Sequence, residues 1–222
     1  MRSETDSTQL FKALPDSTSS VDHWQAVYES TPGDELGWFD AEMSLAMDWI
    51  GSLNLEVDSA IIDIGGGSCF LVDHLIASGF SKISVLDISN HALQRAKKRL
   101  GDKAGGVTWI AEDVLSAELP IQHFDLWHDR AMFHFLTTDV HKRVYLKNLS
   151  KSLKLGGYVI LGIFSPEAPP KCSGLPVNRY SLDEITETFG TNYILEHSQL
   201  KLHVTPSGVE QLYQFCLFRK IS

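Results

Sequence analysis

Short apolar runs of strand type alternate with segments of helical periodicity through the middle of the chain, and this alternation constrains the fold most. The runs that we predict as strands are 60–64, 83–86, 107–110, 124–127 and 158–164. Helical patterns between such runs indicate parallel strands joined by crossover helices. Two further runs, 193–204 and 211–219, are joined by a turn too short for a crossover, which predicts an antiparallel pair. The sequence therefore predicts a doubly wound α/β sheet with an antiparallel end.

Composition limits the number of domains and the kinds of partner. A chain of 222 residues with 43% hydrophobic content can bury one sizeable core, so we predict a single domain over residues 21–222, after a flexible tail of residues 1–20. Nineteen basic against twenty-eight acidic residues give a net charge of -9, which disfavours nucleic acid and anionic membranes as partners. With no apolar stretch of spanning length, we predict a cytoplasmic protein. The three cysteines are predicted to be reduced.

Two segments are predicted to cover the ligand side of the sheet. Residues 21–55 contain two helical patterns separated by TPGDELGWF, a loop that presents Trp38 and could serve as a lid. Trp24 and Tyr28 lie on one face of the first helix, where core packing is the alternative to ligand contact. The Pro-rich loop at 165–180 is predicted to border the acceptor.

The segment AIIDIGGGSCF predicts a ligand site at a strand-to-helix turn. Asp63 ends the strand, and three glycines, Gly65, Gly66 and Gly67, would let a ligand lie against backbone amides. At the end of the second strand, Asp87 beside Ile88 can accept the hydroxyls of a ribose. At the end of the third strand, Asp113 with Val114 can bind an adenine amino group. Together, these strand ends predict an adenosine-containing ligand.

A nicotinamide or flavin dinucleotide is the competing ligand. Its fingerprint requires glycine or alanine at position 70, where this chain has Phe70. A dehydrogenase would also need a substrate domain or a recognisable acid/base pair. The dinucleotide interpretation is therefore disfavoured.

Polar residues follow the fourth predicted strand. His128, Asp129 and Arg130 would stand at the carboxyl edge of the sheet, where a parallel sheet presents its ligands. A structural ion pair between Asp129 and Arg130 is the alternative. His134 lies among apolar residues and is either a catalytic base or a half-buried histidine.

DIGGGSC, Asp87 and AEDV together resemble the class I S-adenosylmethionine-dependent methyltransferases. FDLWHDRAMFHFL, LKLGGYVILGIF and HWQAVYES…GWF are similar to the branch that contains thiopurine S-methyltransferase and methyltransferase-like lysine methyltransferases. The resemblance implies a Rossmann-like, seven-stranded sheet. It also implies that Asp63 and Gly65 neighbour the methionine part of the donor, Asp87 the ribose and Asp113 the adenine. Cys69 departs from the pattern, because many members have a third motif glycine there.

We therefore predict a methyltransferase that uses S-adenosyl-L-methionine, releases S-adenosyl-L-homocysteine and needs no metal. The acceptor is predicted to be a small molecule with a sulfur, nitrogen or oxygen nucleophile. A protein lysine is the alternative, and a donor-binding protein without turnover is the third. The predicted catalytic residues are Asp129, Arg130 and His134. The predicted donor-binding residues are Trp24, Tyr28, Trp38, Asp63, Gly65, Gly66, Gly67, Asp87, Ile88, Asp113, Val114 and His128.

Overall fold

The computed structural model describes residues 17–222, so residues 1–16 of the predicted tail lie outside the described part. The helices are α1 (Ser17–Ser30), α2 (Ser44–Ser52), α3 (Leu71–Ala77), α4 (Asn90–Leu100), α5 (Asp139–Ser152) and α6 (Leu182–Phe189). The strands are β1 (Ala60–Ile64), β2 (Lys82–Asp87), β3 (Val107–Ala111), β4 (Phe124–Arg130), β5 (Leu153–Phe164), β6 (Lys171–Cys172), β7 (Leu175–Pro176), β8 (Tyr193–Val204) and β9 (Glu210–Lys220).

Seven of these strands form one sheet in the order β3-β2-β1-β4-β5-β9-β8. The first five of that order pair in parallel, and β9 pairs antiparallel with both β5 and β8. This arrangement confirms the predicted doubly wound, mostly parallel sheet with an antiparallel end. Strand order reverses between β1 and β4, and ligands of such sheets bind at the carboxyl ends of the strands beside that reversal.

Burial of both sheet faces explains why the strands read as continuous apolar runs. All five residues of β1 are buried, including Asp63. One face packs a core around Trp127, Phe133 and Tyr145, and the other packs a core around Phe164 and neighbouring side chains of β9. Helices α5 and α6 contribute to the first core, whereas α2, α3 and α4 contribute to the second.

Two predicted strand boundaries are wrong. Strand β4 continues to Arg130, so His128 and its two neighbours lie in the strand rather than after it. Strand β5 begins at Leu153 rather than at position 158, directly after α5 ends at Ser152, because Leu153 is already extended and pairs with Phe124. The predicted acceptor loop at 165–180 contains the small β6–β7 hairpin.

The first helix also begins earlier than predicted, because residues 17–20 of the proposed tail form the start of α1. In the described part of the chain, no helix combines the length and apolar character needed to cross a membrane. The cytoplasmic location stays a prediction.

Candidate active site

The glycine turn after β1 is a close-packed backbone segment. Gly65 and Gly67 have φ values of 64° and 45°, in the left-handed region that favours glycine. A Cβ on Gly66 would lie 2.6 Å from Asp63 Oδ2, and one on Gly67 would overlap the Tyr28 hydroxyl. The turn therefore needs glycine for both conformation and space.

Asp63 and His128 form a buried pair behind this turn. The two residues are register partners on β1 and β4, and His128 Nδ1 lies 2.7 Å from Asp63 Oδ1. Both side chains are almost fully buried, and His128 Nε2 has no hydrogen-bond partner within the described residues. Asp63 therefore packs against the turn, with one carboxylate oxygen paired to His128 and the other beside Gly66.

Asp87 ends β2 and lies beside the turn. Its Oδ1 accepts the backbone N–H of Ser89 at 2.7 Å, and its Oδ2 lies 3.0 Å from the position that a Cβ of Gly67 would take. Burial raises the pKa of Asp87 to about 7. Hydrogen bonds from the Ser89 and Gly67 amides lower this pKa, and the nearby Asp63 charge raises it. A carboxyl group with so little hydration is suited to accept hydrogen bonds from the hydroxyl groups of a ligand.

Asp113 and Val114 follow β3 at the same edge of the sheet. Asp113 Oδ1 accepts the N–H of Leu115 at 2.9 Å, which fixes the carboxylate. The Val114 carbonyl accepts the side-chain amide of Asn148 at 2.8 Å, and the Val114 side chain is buried. The loop after β3 is therefore held against α5, which carries Asn148.

These strand ends surround a cavity of about 610 Å³. On one side it is covered by aromatic residues of the predicted lid: Trp38 packs edge-on against Trp24 and Tyr28, each at 5.7 Å between ring centroids. The turn after β4 and the β6–β7 hairpin also border it, through Met132, Phe135, Cys172, Leu175 and Pro176 among others. The volume falls within the range of about 300–1,000 Å³ that is usual for small-molecule sites.

Asp129 is hydrogen-bonded inside the protein. Its Oδ1 accepts the N–H groups of Met132 and Phe133, and its Oδ2 accepts the Tyr145 hydroxyl at 2.7 Å. Tyr145 in turn accepts the indole N–H of Trp127 at 2.8 Å. Burial raises the pKa of Asp129 to about 6, against the lowering effect of these donors. The side chain thus fixes the turn that carries Met132.

Arg130 points toward the lid rather than toward Asp129. Its Nη1 donates to the Trp38 carbonyl at 2.7 Å, its Nη2 lies 3.8 Å from Asp40 Oδ2, and its guanidinium lies 5.3 Å from the centre of the Tyr213 ring. Among the described residues, the ion pairs of Arg130 do not include Asp129. The alternative of an Asp129–Arg130 structural pair is therefore wrong.

His134 lies in the short helical turn Phe133–Phe135 and is fully buried. Its ring packs against Phe135 and Phe164, and neither ring nitrogen has a hydrogen-bond partner among the described residues. Burial lowers the pKa of His134 to about 3, so the ring is neutral at physiological pH.

The structure brings eight of the fifteen predicted site residues to the cavity wall: Trp24, Tyr28, Trp38, Gly65, Asp87, Ile88, Asp113 and Val114. Seven others, all in the described part of the chain, lie outside the wall: Asp63, Gly66, Gly67, His128, Asp129, Arg130 and His134. Their direct contact with a ligand stays a prediction. Sequence reasoning predicted a role for the range 165–180 but did not single out its hairpin residues, of which Cys172, Leu175 and Pro176 line the cavity.

The cavity fits an adenosine-type methyl donor. Carboxyl groups stand at the ends of β2 and β3, a bare glycine turn follows β1, and the three are adjacent at the reversal of strand order. The fold and this cavity together resemble those of the class I methyltransferases.

Comparisons with known proteins agree. A family model described as a methyltransferase domain matches residues 61–157. EEF1A lysine methyltransferase 2 of Homo sapiens is 28% identical over 163 residues, covering 67% of this chain and 69% of the human protein.

Two solved structures share the fold. The 1,6-didemethyltoxoflavin-N1-methyltransferase of Burkholderia thailandensis, solved with S-adenosylhomocysteine, has a TM-score of 0.72 at 17% identity and covers 95% of this chain and 92% of that one. An S-adenosylmethionine-dependent methyltransferase of Anabaena variabilis has a TM-score of 0.68 at 15% identity, with 90% and 95% covered. Sequence motifs, fold and comparisons identify this chain as an enzyme, a methyltransferase that uses S-adenosylmethionine and has the fold of the class I methyltransferases.

Proposed function

We propose that the acceptor is an amine, the side chain of a lysine in a protein. The observation that carries this proposal is the charge of the cavity wall. The wall contains three acidic side chains, Glu112, Asp113 and the partly ionised Asp87, and in the described part of the chain it contains no lysine or arginine. Such a wall attracts cations and repels carboxylate, phosphate and thiolate acceptors. A lysine ammonium is the commonest cation that a protein substrate can offer.

Aromatic side chains support the same acceptor. Trp24, Tyr28, Trp38 and Phe135 line the cavity, with Trp24 and Phe135 packed edge-on at 5.0 Å between centroids. The faces of aromatic rings attract ammonium groups by about 0.5–2 kcal/mol, depending on exposure. A wall with both carboxylates and aromatic rings is therefore suited to a cationic acceptor.

The human relative adds support from sequence, because its name states lysine methylation of EEF1A. A small-molecule acceptor, which the sequence alone favoured, is the second candidate. The Burkholderia enzyme has 1,6-didemethyltoxoflavin bound, which shows that the same fold accepts a heteroaromatic compound there. At 17% identity that likeness extends to the fold, so it supports this acceptor less strongly.

The residues at the strand ends would hold the donor. Asp87 accepts hydrogen bonds from the ribose hydroxyls, Asp113 and Val114 bind the adenine, and the turn at Gly65 lies along the methionine part. The sulfonium supplies an activated methyl group, so the protein must mainly align the acceptor and exclude water. Asp129 acts indirectly, because it holds the turn of Met132, which lies against Gly65.

The proposal is tested by turnover, measured as release of S-adenosylhomocysteine, with mass spectrometry to locate the methyl group. EEF1A is the first protein to test, beside the same protein with its lysines acetylated, a soluble thiol and a heteroaromatic amine. We expect methylation of the untreated protein and none of the blocked one. Turnover of the thiol or heteroaromatic amine, with no transfer to any lysine-bearing protein, would refute the lysine proposal.

Glu112 offers a matched variant, since it is exposed at the cavity and has no proposed donor contact. Glu112→Gln should raise the KM for a lysine substrate while leaving the affinity for S-adenosylhomocysteine unchanged. Glu118→Gln, another exposed acid outside the cavity wall, is the control and should change neither. An unchanged acceptor KM in Glu112→Gln would refute the argument that the charge of the cavity wall attracts the acceptor.

A further inference from the structure

The loop between α1 and α2 is attached to the sheet through two consecutive backbone carbonyls. His203 Nε2 lies 2.8 Å from the Gly37 carbonyl oxygen, and Arg130 Nη1 lies 2.7 Å from the Trp38 carbonyl oxygen. His203 lies on β8 at the edge of the sheet and Arg130 on β4 near its middle. The two donors therefore reach the same short segment from different strands.

The hydrogen bond from His203 has a defined direction. A carbonyl oxygen only accepts, so Nε2 must carry the proton. Burial lowers the pKa of His203, which makes the neutral tautomer with a proton on Nε2 the relevant form at neutral pH. The ring packs edge-on against Tyr213 at 6.1 Å, and the same Tyr213 ring lies under Arg130. Both donors are thus supported by one buried aromatic side chain.

The attached segment carries a wall of the donor cavity. Trp38 lines the cavity and packs against Trp24 and Tyr28, and Tyr28 in turn packs over Gly67. A displacement of the Gly37 and Trp38 carbonyls would move the Trp38 ring out of this arrangement. Lys201, also on β8, lies 3.5 Å from Asp40 Oδ2 and 3.4 Å from Ser44 Oγ, so the segment is held at a third point.

We propose that His203 is a positioning residue for donor binding, which together with Arg130 fixes Trp38 over the donor cavity by holding the Gly37 and Trp38 carbonyls. His203 lies 166 positions from Gly37 and outside every sequence motif. The inference concerns the donor, so it does not depend on the identity of the acceptor.

Calorimetry with S-adenosylhomocysteine tests this without any acceptor. His203→Met removes the donor at similar size, His203→Gln keeps an N–H at a similar reach, and Gln199→Ala changes an exposed residue of the same strand. Loss of one hydrogen bond of ordinary strength should weaken binding in His203→Met about 3- to 10-fold. His203→Gln should recover most of the affinity, and Gln199→Ala should match the wild type.

Hydrogen exchange gives a second measurement that does not require ligand binding. In His203→Met, backbone amides of residues 37–40 should exchange faster than in Gln199→Ala, while those of β1 and β4 stay protected. Wild-type affinity in His203→Met would overturn the proposal. So would equal weakening in His203→Met and His203→Gln, because the packing of the ring, and not its N–H, would then matter.

Discussion

Replacing Asp87 with asparagine should make the free protein more stable at alkaline pH while weakening donor binding. Burial raises the pKa of Asp87 to about 7 from the ordinary 3.8, so the folded state favours the protonated acid. The ionised group therefore costs stability. This cost is absent below the unfolded pKa, grows as pH rises, and is complete above about pH 7.

The size of the effect follows from the two pKa values. Their difference corresponds to roughly 4 kcal/mol, an upper limit because asparagine is an imperfect copy of the neutral acid. In a chain of 222 residues, about 1 kcal/mol shifts Tm by roughly 2–4 °C. We expect the Tm of Asp87→Asn to exceed that of the wild type by several degrees at pH 8, with a gap that narrows toward pH 5.

Donor affinity should change in the opposite direction. Removing the charge that accepts ribose hydroxyls should cost about 1.5–3 kcal/mol of binding to S-adenosylhomocysteine, measured by calorimetry at pH 8. Asp58→Asn is the control: Asp58 is exposed and its pKa is lowered by Lys82, so its loss should leave donor affinity unchanged and should not raise the Tm at pH 8. An unchanged or lower Tm in Asp87→Asn would refute the burial argument, and unchanged affinity would remove Asp87 from the donor site.

Three further substitutions test the surroundings of the cavity. Gly67→Ala forces a side chain into a positive φ and onto the Tyr28 hydroxyl, so calorimetry should show at least a tenfold loss of S-adenosylhomocysteine affinity, with Gly51→Ala in open space as the control. Asp129→Ala leaves three hydrogen-bond donors without their acceptor and should lower the urea-derived free energy of unfolding by about 3 kcal/mol or more. Full stability with lost turnover would instead favour a direct catalytic role. Arg130→Met should weaken S-adenosylhomocysteine binding about as much as His203→Met, whereas a change in acceptor KM alone would favour the catalytic role predicted from sequence.

The sequence predicted best what local pattern determines. The bounds of β1 were right because its residues form an apolar run that meets a glycine turn. The end of β4 was missed because His128, Asp129 and Arg130 are polar, and a polar stretch was taken to end a buried strand. In the structure these side chains find internal partners: Asp63, the Tyr145 hydroxyl and the Trp38 carbonyl.

In the candidate site, too, the sequence predicted the features that depend on local pattern and missed those that depend on tertiary contacts. The acids after β2 and β3 could be found because parallel strands present their carboxyl ends at one edge. The segment at 165–180 could be predicted only as a range, since Cys172 and Leu175 reach the cavity through a hairpin within a Pro-rich segment that gave no strand signal. His203 was missed for a related reason, because a contact across 166 positions leaves no local pattern.

The position of the ionisable groups bears on how a lysine would lose its proton. Met132, Phe135 and Leu175 would remove water from an ammonium group in the cavity, and both this desolvation and the neighbouring positive charge of the donor lower the pKa of an amine. Asp129 already accepts three hydrogen bonds, and His134 is fully buried with a pKa near 3, and neither reaches the cavity wall. These two predicted catalytic residues would therefore not take the proton, and alignment of a neutral amine would be the main task of the protein. On this argument, the acidic side chains of the wall attract the lysine, and its apolar side chains lower the pKa of the bound amine.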